Sequence, residues 1–165
     1  METPLVPRHS SVTLTTGLLR GRSQGMQRRD TILLVEDSDD DVFLFRRAVE
    51  RSGCDADVRH CSSATAAMQH LDSLRREKHP LPRLVFVDLL LPNMRGTHLV
   101  TWMKERDDYR AIPVIVITGS APPKTAADLA ALGANASMLK PAKPSELEEA
   151  VHATCIFWLK YCLHA

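Results

Sequence analysis

From residue 31 onward the chain alternates short apolar runs with stretches of helical periodicity. Residues 32–35 form the first apolar run. An acidic cluster follows, and apolar residues then recur at helical spacing from 42 to 49, which predicts a strand and then a helix. A weaker run at residues 58–61 predicts a second strand. Residues 64–77 predict a second helix, one face of which carries Ala67, Leu71 and Leu74.

Two later runs, residues 83–89 and 114–118, are almost entirely apolar. Such runs are typical of parallel strands that are buried on both faces. Residues 98–106, between the two runs, predict a third helix. The remaining pattern predicts a short fourth helix at residues 125–132 and a last strand at residues 137–139.

Capping residues predict where the last two helices end and begin. Gly133 follows the fourth helix, and Ser145, with Glu148 three residues later, predicts the cap of a long fifth helix. Strands and helices therefore alternate along one domain, predicted over residues 30–163. Right-handed crossovers then favour an α/β fold with a parallel sheet covered on both faces. In such sheets functional residues lie at the carboxyl ends of strands, near the point where strand order reverses.

Composition narrows the class of protein. The chain has 165 residues, 44% of them apolar and 25% charged, with a net charge of +1, which is typical of one globular domain. Bulk charge gives no indication of nucleic-acid binding. No apolar run approaches the ~20 residues of a membrane span, since even residues 81–91 are interrupted by Pro82, Arg83 and Asp88. We expect a cytoplasmic protein with no membrane partner.

Residues 1–29 contain five arginines against the single acid Glu2, with no sustained periodicity. This composition predicts a disordered tail. A transit peptide is an alternative with a weak amphipathic pattern, and Met26 as the natural start is another.

The four cysteines, Cys54, Cys61, Cys155 and Cys162, form no CxxC pair, so we expect free structural thiols and not a zinc site. The histidines, His60 among them, form no ligand-spaced cluster, and no role is assigned to them.

Polar residues fall at the ends of the predicted strands. They are Glu36 and Asp37 after the first strand, Asp88 at the end of the third, Thr118 at the end of the fourth and Lys140 after the fifth. Carboxylates brought together at one sheet edge repel each other unless a cation neutralises them, and oxygen ligands suit Mg²⁺. Asp39, Asp40 and Asp41 could extend such a metal site, but acids in the first turn of a helix are also favoured by its dipole.

A carboxylate can attack phosphorus to give an acyl phosphate, a reaction that requires charge neutralisation around the phosphoryl oxygens. The cation, Lys140 and the Thr118 hydroxyl could supply it. A hydrogen bond from Thr118 that forms only when a phosphoryl group is present would draw in the loop at residues 119–123 and make a switch.

The set formed by Glu36-Asp37, Asp88 with Leu91-Pro92 and Gly96, Thr118 and Lys140-Pro141 resembles the response-regulator receiver family over about residues 30 to 160. The resemblance implies a flavodoxin-like (CheY-like) fold of five strands and five helices. It also implies that Asp88 is the phosphoacceptor, with Thr118 and Lys140 assisting. Mg²⁺ would be bound directly by Asp37 and Asp88, through water by Glu36, and by the carbonyl of Leu90. A cis peptide between Lys140 and Pro141 is a further implication.

The acidic start of the first helix, the Leu89-Leu90-Leu91-Pro92 loop and the terminal Phe157-Trp158-Leu159 resemble small stand-alone regulators of bacterial phytochrome histidine kinases. One departure matters. Receivers often carry an aromatic switch residue three positions before the lysine, where this chain has Ser137, so output is expected to run through another surface.

The last predicted helix has more apolar surface than one sheet face can bury. One stripe holds Leu147, Val151, Cys155, Trp158 and Cys162, and other apolar residues lie outside it: Ile156, Phe157, Leu159 and Leu163. We expect a homodimer through this helix. A long core helix and a contact with the kinase are the alternatives.

The predicted function is that of a single-domain response regulator, which receives a phosphoryl group from a sensor histidine kinase on Asp88 and signals by protein contact or onward phosphotransfer. It would be no enzyme beyond its own phosphorylation and dephosphorylation. No DNA-binding segment is expected after the last helix. One alternative is a phosphorylation-independent interaction module. Another is a small phosphatase, although that class places a general acid where this chain has Leu90.

Overall fold

A computed structural model describes residues 29–119 and 126–162. Nearly all of the predicted tail, residues 1–28, lies outside the described residues, as do residues 120–125 and 163–165. The elements follow the predicted alternation of strands and helices. They are β1 (Asp30–Val35), α1 (Asp39–Ser52), β2 (Ala56–Cys61), α2 (Ala64–Arg76), β3 (Leu84–Asp88), α3 (Gly96–Lys104), β4 (Val114–Thr118), α4 (Ala126–Ala131), β5 (Ala136–Leu139) and α5 (Pro144–Cys155).

The strands form one parallel sheet in the order β2-β1-β3-β4-β5, which confirms the predicted flavodoxin-like fold. Because the chain moves outward from β1 to β2 and then returns to β3, strand order reverses between β1 and β3. Val35 lies opposite Val87, and Asp88 lies opposite Ile117 in β4. The ends of β1, β3 and β4 therefore meet at one edge of the sheet, where a site is expected.

Both faces of the sheet are covered. Every residue of β3 and β4 is buried, as their continuous apolar sequences predict. One apolar cluster joins the sheet to α2 and α3, with Leu71, Leu99 and Met103 fully buried. A second cluster joins the other face to α1 and α5, where Phe45 packs edge-to-face against Phe86 at 4.8 Å.

Side-chain capping explains where α1 begins. The Ser38 hydroxyl accepts a hydrogen bond from the backbone N–H of Asp41 (3.3 Å) and caps α1. The prediction that Ser145 caps the fifth helix is wrong, because α5 begins at Pro144 and Lys143 holds the cap position. Proline is favoured at the first helical position, since its fixed φ suits the helix and its missing N–H would have no helical acceptor there.

The chain beyond α5 continues as a π-helical segment, Ile156–Tyr161, which the sequence did not predict. Upstream of it Leu147, Val151 and Cys155 are buried against the sheet, as the predicted stripe requires. Within the segment Phe157 and Tyr161 are 53% and 67% exposed. Apolar surface therefore remains uncovered at the end of the helix.

All four cysteines are free thiols. Burial, followed by the neighbouring thiol of Cys54, raises the pKa of Cys155, which keeps it protonated. None of the helices in the described ranges combines the length and apolar character needed to cross a membrane.

Candidate functional site

The predicted site residues gather at the carboxyl edge of the sheet. Glu36, Asp88 and Thr118 are 4%, 8% and 3% exposed, and Lys140 follows β5 with its side chain largely covered. Asp37 is different, because its side chain is exposed. Buried acids need a cation or hydrogen-bond donors as partners, and the arrangement supplies both.

The ammonium of Lys140 is the centre of the site. Its Nζ lies 2.7 Å from Glu36 Oε2, 2.8 Å from Asp41 Oδ2 and 3.2 Å from Asp88 Oδ2. An ammonium has three N–H donors, so three carboxylates match its full capacity. The contact of Asp41 was not predicted from the sequence, where the helix dipole accounts for this acid. The feature that could have indicated the contact is the position of Asp41 in the first turn of α1, which starts directly beside β1.

Neighbouring charges and burial shift the pKa values of Glu36 and Lys140 in opposite directions. Burial raises the pKa of Glu36 above its ordinary value, although the hydrogen bonds from Lys140 and from the Ser38 backbone oppose that rise. Burial alone would lower the pKa of Lys140, but the bonds to Asp41 and Glu36 outweigh it and the pKa is raised. Lys140 is therefore a permanent cation, facing more negative charge than it can neutralise.

Asp88 is held from two sides. Its Oδ1 accepts a hydrogen bond from the backbone N–H of Leu90 (2.8 Å), and its Oδ2 faces Lys140. The backbone N–H of Gly96 donates to the carbonyl of Leu89 (3.1 Å), so the loop after β3 folds back on itself. The carboxylate is fixed at the strand end with one oxygen toward the cation.

Glu36 is fixed through its backbone as well as its side chain. Its N–H donates to the carbonyl of Cys61 (3.1 Å), and its own carbonyl accepts from Nε2 of His60 at 2.8 Å. No role was predicted for His60. The structure shows that it anchors a site residue to β2, a contact that requires Nε2 to carry the proton.

Thr118 and Lys140 are joined by the main chain. The backbone N–H of Lys140 donates to the carbonyl of Thr118 at 2.7 Å. The described ranges contain no cis peptide bond, so the cis form expected between Lys140 and Pro141 is not found. Ser137 is exposed on β5, and it stands where the family's aromatic switch residue was expected.

A small cavity of about 20 Å³ adjoins these polar groups. Its walls include Glu36, Asp41, Asp88, Lys140 and Phe45. The cavity is too small for a metabolite, because ligand pockets usually measure hundreds of Å³. A group larger than water would therefore have to bind outside this cavity.

The oxygen atoms at this site are ligands of the type that a hard divalent cation prefers. Carboxylate oxygens of Glu36 and Asp88 converge on Lys140, and the carbonyl of Leu90 follows Asp88 closely in the chain. Within residues 29–119 and 126–162, no three His, Cys, Asp or Glu side chains are grouped as a ready metal centre. The acids instead surround Lys140, which satisfies part of their charge. Net negative charge remains for a metal ion, as Mg²⁺ sites require.

The parallel α/β fold and the acids gathered around Lys140 define a class of protein that comparison with known families identifies. The family model described as response regulator receiver domain matches residues 32–152. The chain belongs to this family, as a CheY-like receiver of the two-component type. Receivers of this family interact with sensor kinases and generally bind Mg²⁺.

Individual relatives and solved structures are similar to most of this chain. The probable methanogenesis regulatory protein FilR2 of Methanothrix harundinacea is 31% identical over 128 residues, covering 78% of this chain and 83% of FilR2. The phosphorylated cyanobacterial phytochrome response regulator RcpA superposes with a TM-score of 0.75 at 26% identity, covering 83% of this chain and 99% of RcpA. The Mn²⁺-bound form of response regulator Rcp1 superposes with a TM-score of 0.73 at 29% identity, covering 82% of this chain and 99% of Rcp1.

Proposed function

We propose that Asp88 accepts the phosphoryl group that switches this response regulator. The observation that carries the proposal is the position of Asp88 Oδ2, 3.2 Å from the Lys140 ammonium at the carboxyl end of β3. Asp88 is 8% exposed and lines the small cavity of the site. A donor phosphoryl group that reaches Asp88 would meet an oxygen that already faces a cation.

The reaction is a displacement at phosphorus. A carboxylate oxygen of Asp88 forms a new bond to phosphorus, and the bond from phosphorus to the donor breaks. The donor leaves with that electron pair, as acetate from acetyl phosphate or as an imidazole, which takes up a proton, from a phosphohistidine. Lys140 would offset the negative charge of the phosphoryl oxygens, and the hydroxyl of Thr118, one residue beyond the β4 partner of Asp88, would donate to one of them.

We assign Mg²⁺ to Asp37, Asp88 and the carbonyl of Leu90, with Glu36 acting through water. When bound, the ion supplies further neutralisation of the phosphoryl charge. The exposed Asp37 and the buried Glu36 follow one strand, so Asp37 could bind an ion from the solvent side while Glu36 holds Lys140. The Mn²⁺-bound form of Rcp1 supports a divalent metal here by similarity.

The same geometry supports no broader catalysis. Beyond its own phosphorylation and dephosphorylation, we assign the protein no enzymatic reaction. A phosphatase of related chemistry would need a general acid two residues after Asp88, and that position holds the apolar Leu90, which is 59% exposed. A phosphorylation-independent interaction module would not explain why three acids, two of them buried, surround one lysine.

The partner that we propose is a phytochrome-type sensor histidine kinase in the cytoplasm. The phytochrome response regulator RcpA, which shares the fold at 26% identity, supports this partner class. The four free cysteines suit a reducing compartment.

We propose that the output runs by protein contact or onward phosphotransfer, and that the chain forms a homodimer through the π-helical segment. Phe157 and Tyr161 expose more than half of their surfaces there, and Phe157 packs edge-to-face on Trp158 at 5.1 Å. A two-fold axis across this segment would bury the same aromatic surface on both copies.

The deciding experiment is intact-mass spectrometry after incubation with acetyl phosphate and Mg²⁺. We expect an adduct of ~80 Da on the native chain and none on Asp88→Asn, because the amide cannot act as the nucleophile. Asp128→Asn, which removes an exposed acid of α4, is the matched control and should be modified as the native chain is. An unmodified native chain that is folded and supplied with Mg²⁺ would contradict the proposal.

A further inference from the structure

The ion pair between Asp41 and Lys140 joins the first turn of α1 to the end of β5. Its Oδ2 to Nζ distance of 2.8 Å is shorter than the 3.2 Å from Asp88 to the same ammonium. We propose that Asp41 is a positioning residue, which holds the Lys140 ammonium in place beside Asp88 before and after phosphoryl transfer. This inference rests on the proposed function of Asp88.

Helix capping does not explain the placement of Asp41. The Ser38 hydroxyl already caps α1 by accepting from the backbone N–H of Asp41. Asp39 and Asp40 place two further acids in the same turn, and both are exposed. The carboxylate of Asp41 is instead one third exposed and lies on Lys140, at the wall of the small cavity. The contact with Lys140 therefore explains the position of Asp41 better than a role in capping α1 does.

The three carboxylates that accept from the ammonium divide into two kinds. Glu36 and Asp41 keep their carboxylates throughout the reaction, whereas Asp88 loses one carboxylate oxygen to the new phosphorus bond. Two donors can therefore remain in place while the third passes from Asp88 Oδ2 to a phosphoryl oxygen. A lysine side chain has four rotatable bonds and much freedom when it is not anchored. Asp41 and Glu36 together restrict that freedom.

Asp41 could act in another way, by attracting the metal ion or by binding it. The two roles differ in their dependence on Lys140. A positioning residue has no effect once the lysine is gone, whereas a group that acts on the metal keeps its effect. A double-mutant cycle separates these cases.

The first measurement follows the ammonium itself in ¹⁵N-lysine-labelled protein without phosphodonor. An ammonium held by three carboxylates should give a resolved N–H signal, assigned by its loss in Lys140→Ala. We expect the signal to persist in Asp40→Ala, which removes an acid of the same turn, and to disappear in Asp41→Ala. Asp41→Glu, which keeps the charge, should restore part of it. An unchanged signal in Asp41→Ala would overturn the inference.

The second measurement is the affinity for beryllofluoride with Mg²⁺, a phosphoryl mimic that can be titrated even where phosphorylation is slow. Asp41→Ala should weaken binding on the order of tenfold, the usual effect of losing a residue that orients a ligand-binding group. The same substitution should have no further effect in Lys140→Ala. Equal weakening in both backgrounds would place Asp41 on the metal and overturn the inference. If the native chain itself binds no beryllofluoride and takes no phosphoryl group, the proposed function fails, and the lysine signal still tests the contact.

Discussion

Gly96 lies directly against the backbone of Asp88. A methyl group added at Gly96 would clash with the Asp88 carbonyl oxygen and would stand 2.9 Å from a Val87 methyl group. Neither atom belongs to the end of a flexible side chain, so the strand or the start of α3 would have to move. The glycine thus permits the close approach that brings the loop after β3 back over the strand end.

Gly96→Ala should therefore destabilise the fold and slow phosphorylation. We expect a loss of about 2 kcal/mol in the free energy of unfolding, as for overpacking in a core. Urea denaturation measures it. Gly119→Ala is the matched control, because a methyl group there would meet nothing within 4 Å, and its effect should stay within about 0.5 kcal/mol. Similar losses in the two variants would show that the contact with Asp88 is not the cause.

Loss of Lys140 should leave its three carboxylates uncompensated. Lys140→Met should lower the free energy of unfolding by about 2 kcal/mol in the absence of metal, less than for a fully buried pair because Glu36 can take up a proton. Mg²⁺ should restore more stability to this variant than to the native chain, because a divalent ion supplies the missing charge.

Thermal unfolding with and without Mg²⁺ measures both effects. Lys143→Met is the matched control, since its ion pair with Glu146 lies on the surface and such pairs contribute ~0–1 kcal/mol. Equal losses in the two lysine variants would contradict the assigned role of Lys140.

Tyr109 should make stability depend on alkaline pH. Its hydroxyl donates to Asp72 at 2.6 Å, and its ring stacks on Trp102 at 5.0 Å. Burial, followed by the hydrogen bond to Asp72, raises the pKa of Tyr109 to about 12. The unfolded tyrosine ionises near pH 10. The stabilisation is therefore full below about pH 10 and is lost as pH rises toward 12.

Tyr109→Phe should cost about 1 kcal/mol at pH 7 through the lost hydrogen bond. The difference from the native chain should shrink above about pH 10. Urea denaturation at pH 7, 9 and 10.5 checks this, with Tyr161→Phe as the control at an exposed tyrosine. A difference that does not change with pH would show that ionisation of Tyr109 has no part in it.

The π-helical segment should control the oligomeric state. Phe157→Glu places a charge within the exposed aromatic surface, and we expect the proposed dimer to dissociate at least tenfold more readily, because burying an unpaired charge costs well over 1.4 kcal/mol. Light scattering after size exclusion measures the mass. Phe43→Glu introduces the same change at an aromatic residue of α1 that is 64% exposed. Dissociation by Phe43→Glu alone would move the interface to α1, and a native chain that is monomeric would exclude the dimer.

Much of the fold could be predicted because burial leaves a direct pattern in the sequence. The continuous apolar runs of β3 and β4 follow from their position at the centre of the sheet. Asp88, Glu36 and Lys140 could be placed together because parallel strands bring their carboxyl ends to one edge.

The predictions that were wrong or incomplete concern segments whose local sequence is compatible with more than one structure. Ser145 is a good cap residue, but Pro144 immediately before it is a better first helical residue. An acid in the first turn of a helix satisfies the helix dipole whether or not it contacts anything else, so the role of Asp41 depended on the packing of α1 beside the end of β5. The π-helical hydrogen bond from Cys162 to Phe157 has no periodic apolar signal that would reveal it.

The 2.7 Å bond from the Lys140 N–H to the Thr118 carbonyl has a mechanical consequence. It is a main-chain link, so its length does not depend on side-chain rotamers. If Thr118 moves toward a phosphoryl group, the end of β5 must follow or the link must break. β5 is an edge strand, and its Leu139 is 58% exposed. If the link holds, a displacement of Thr118 would also move Leu139 at the exposed edge of the sheet, where a partner could register it without touching Asp88.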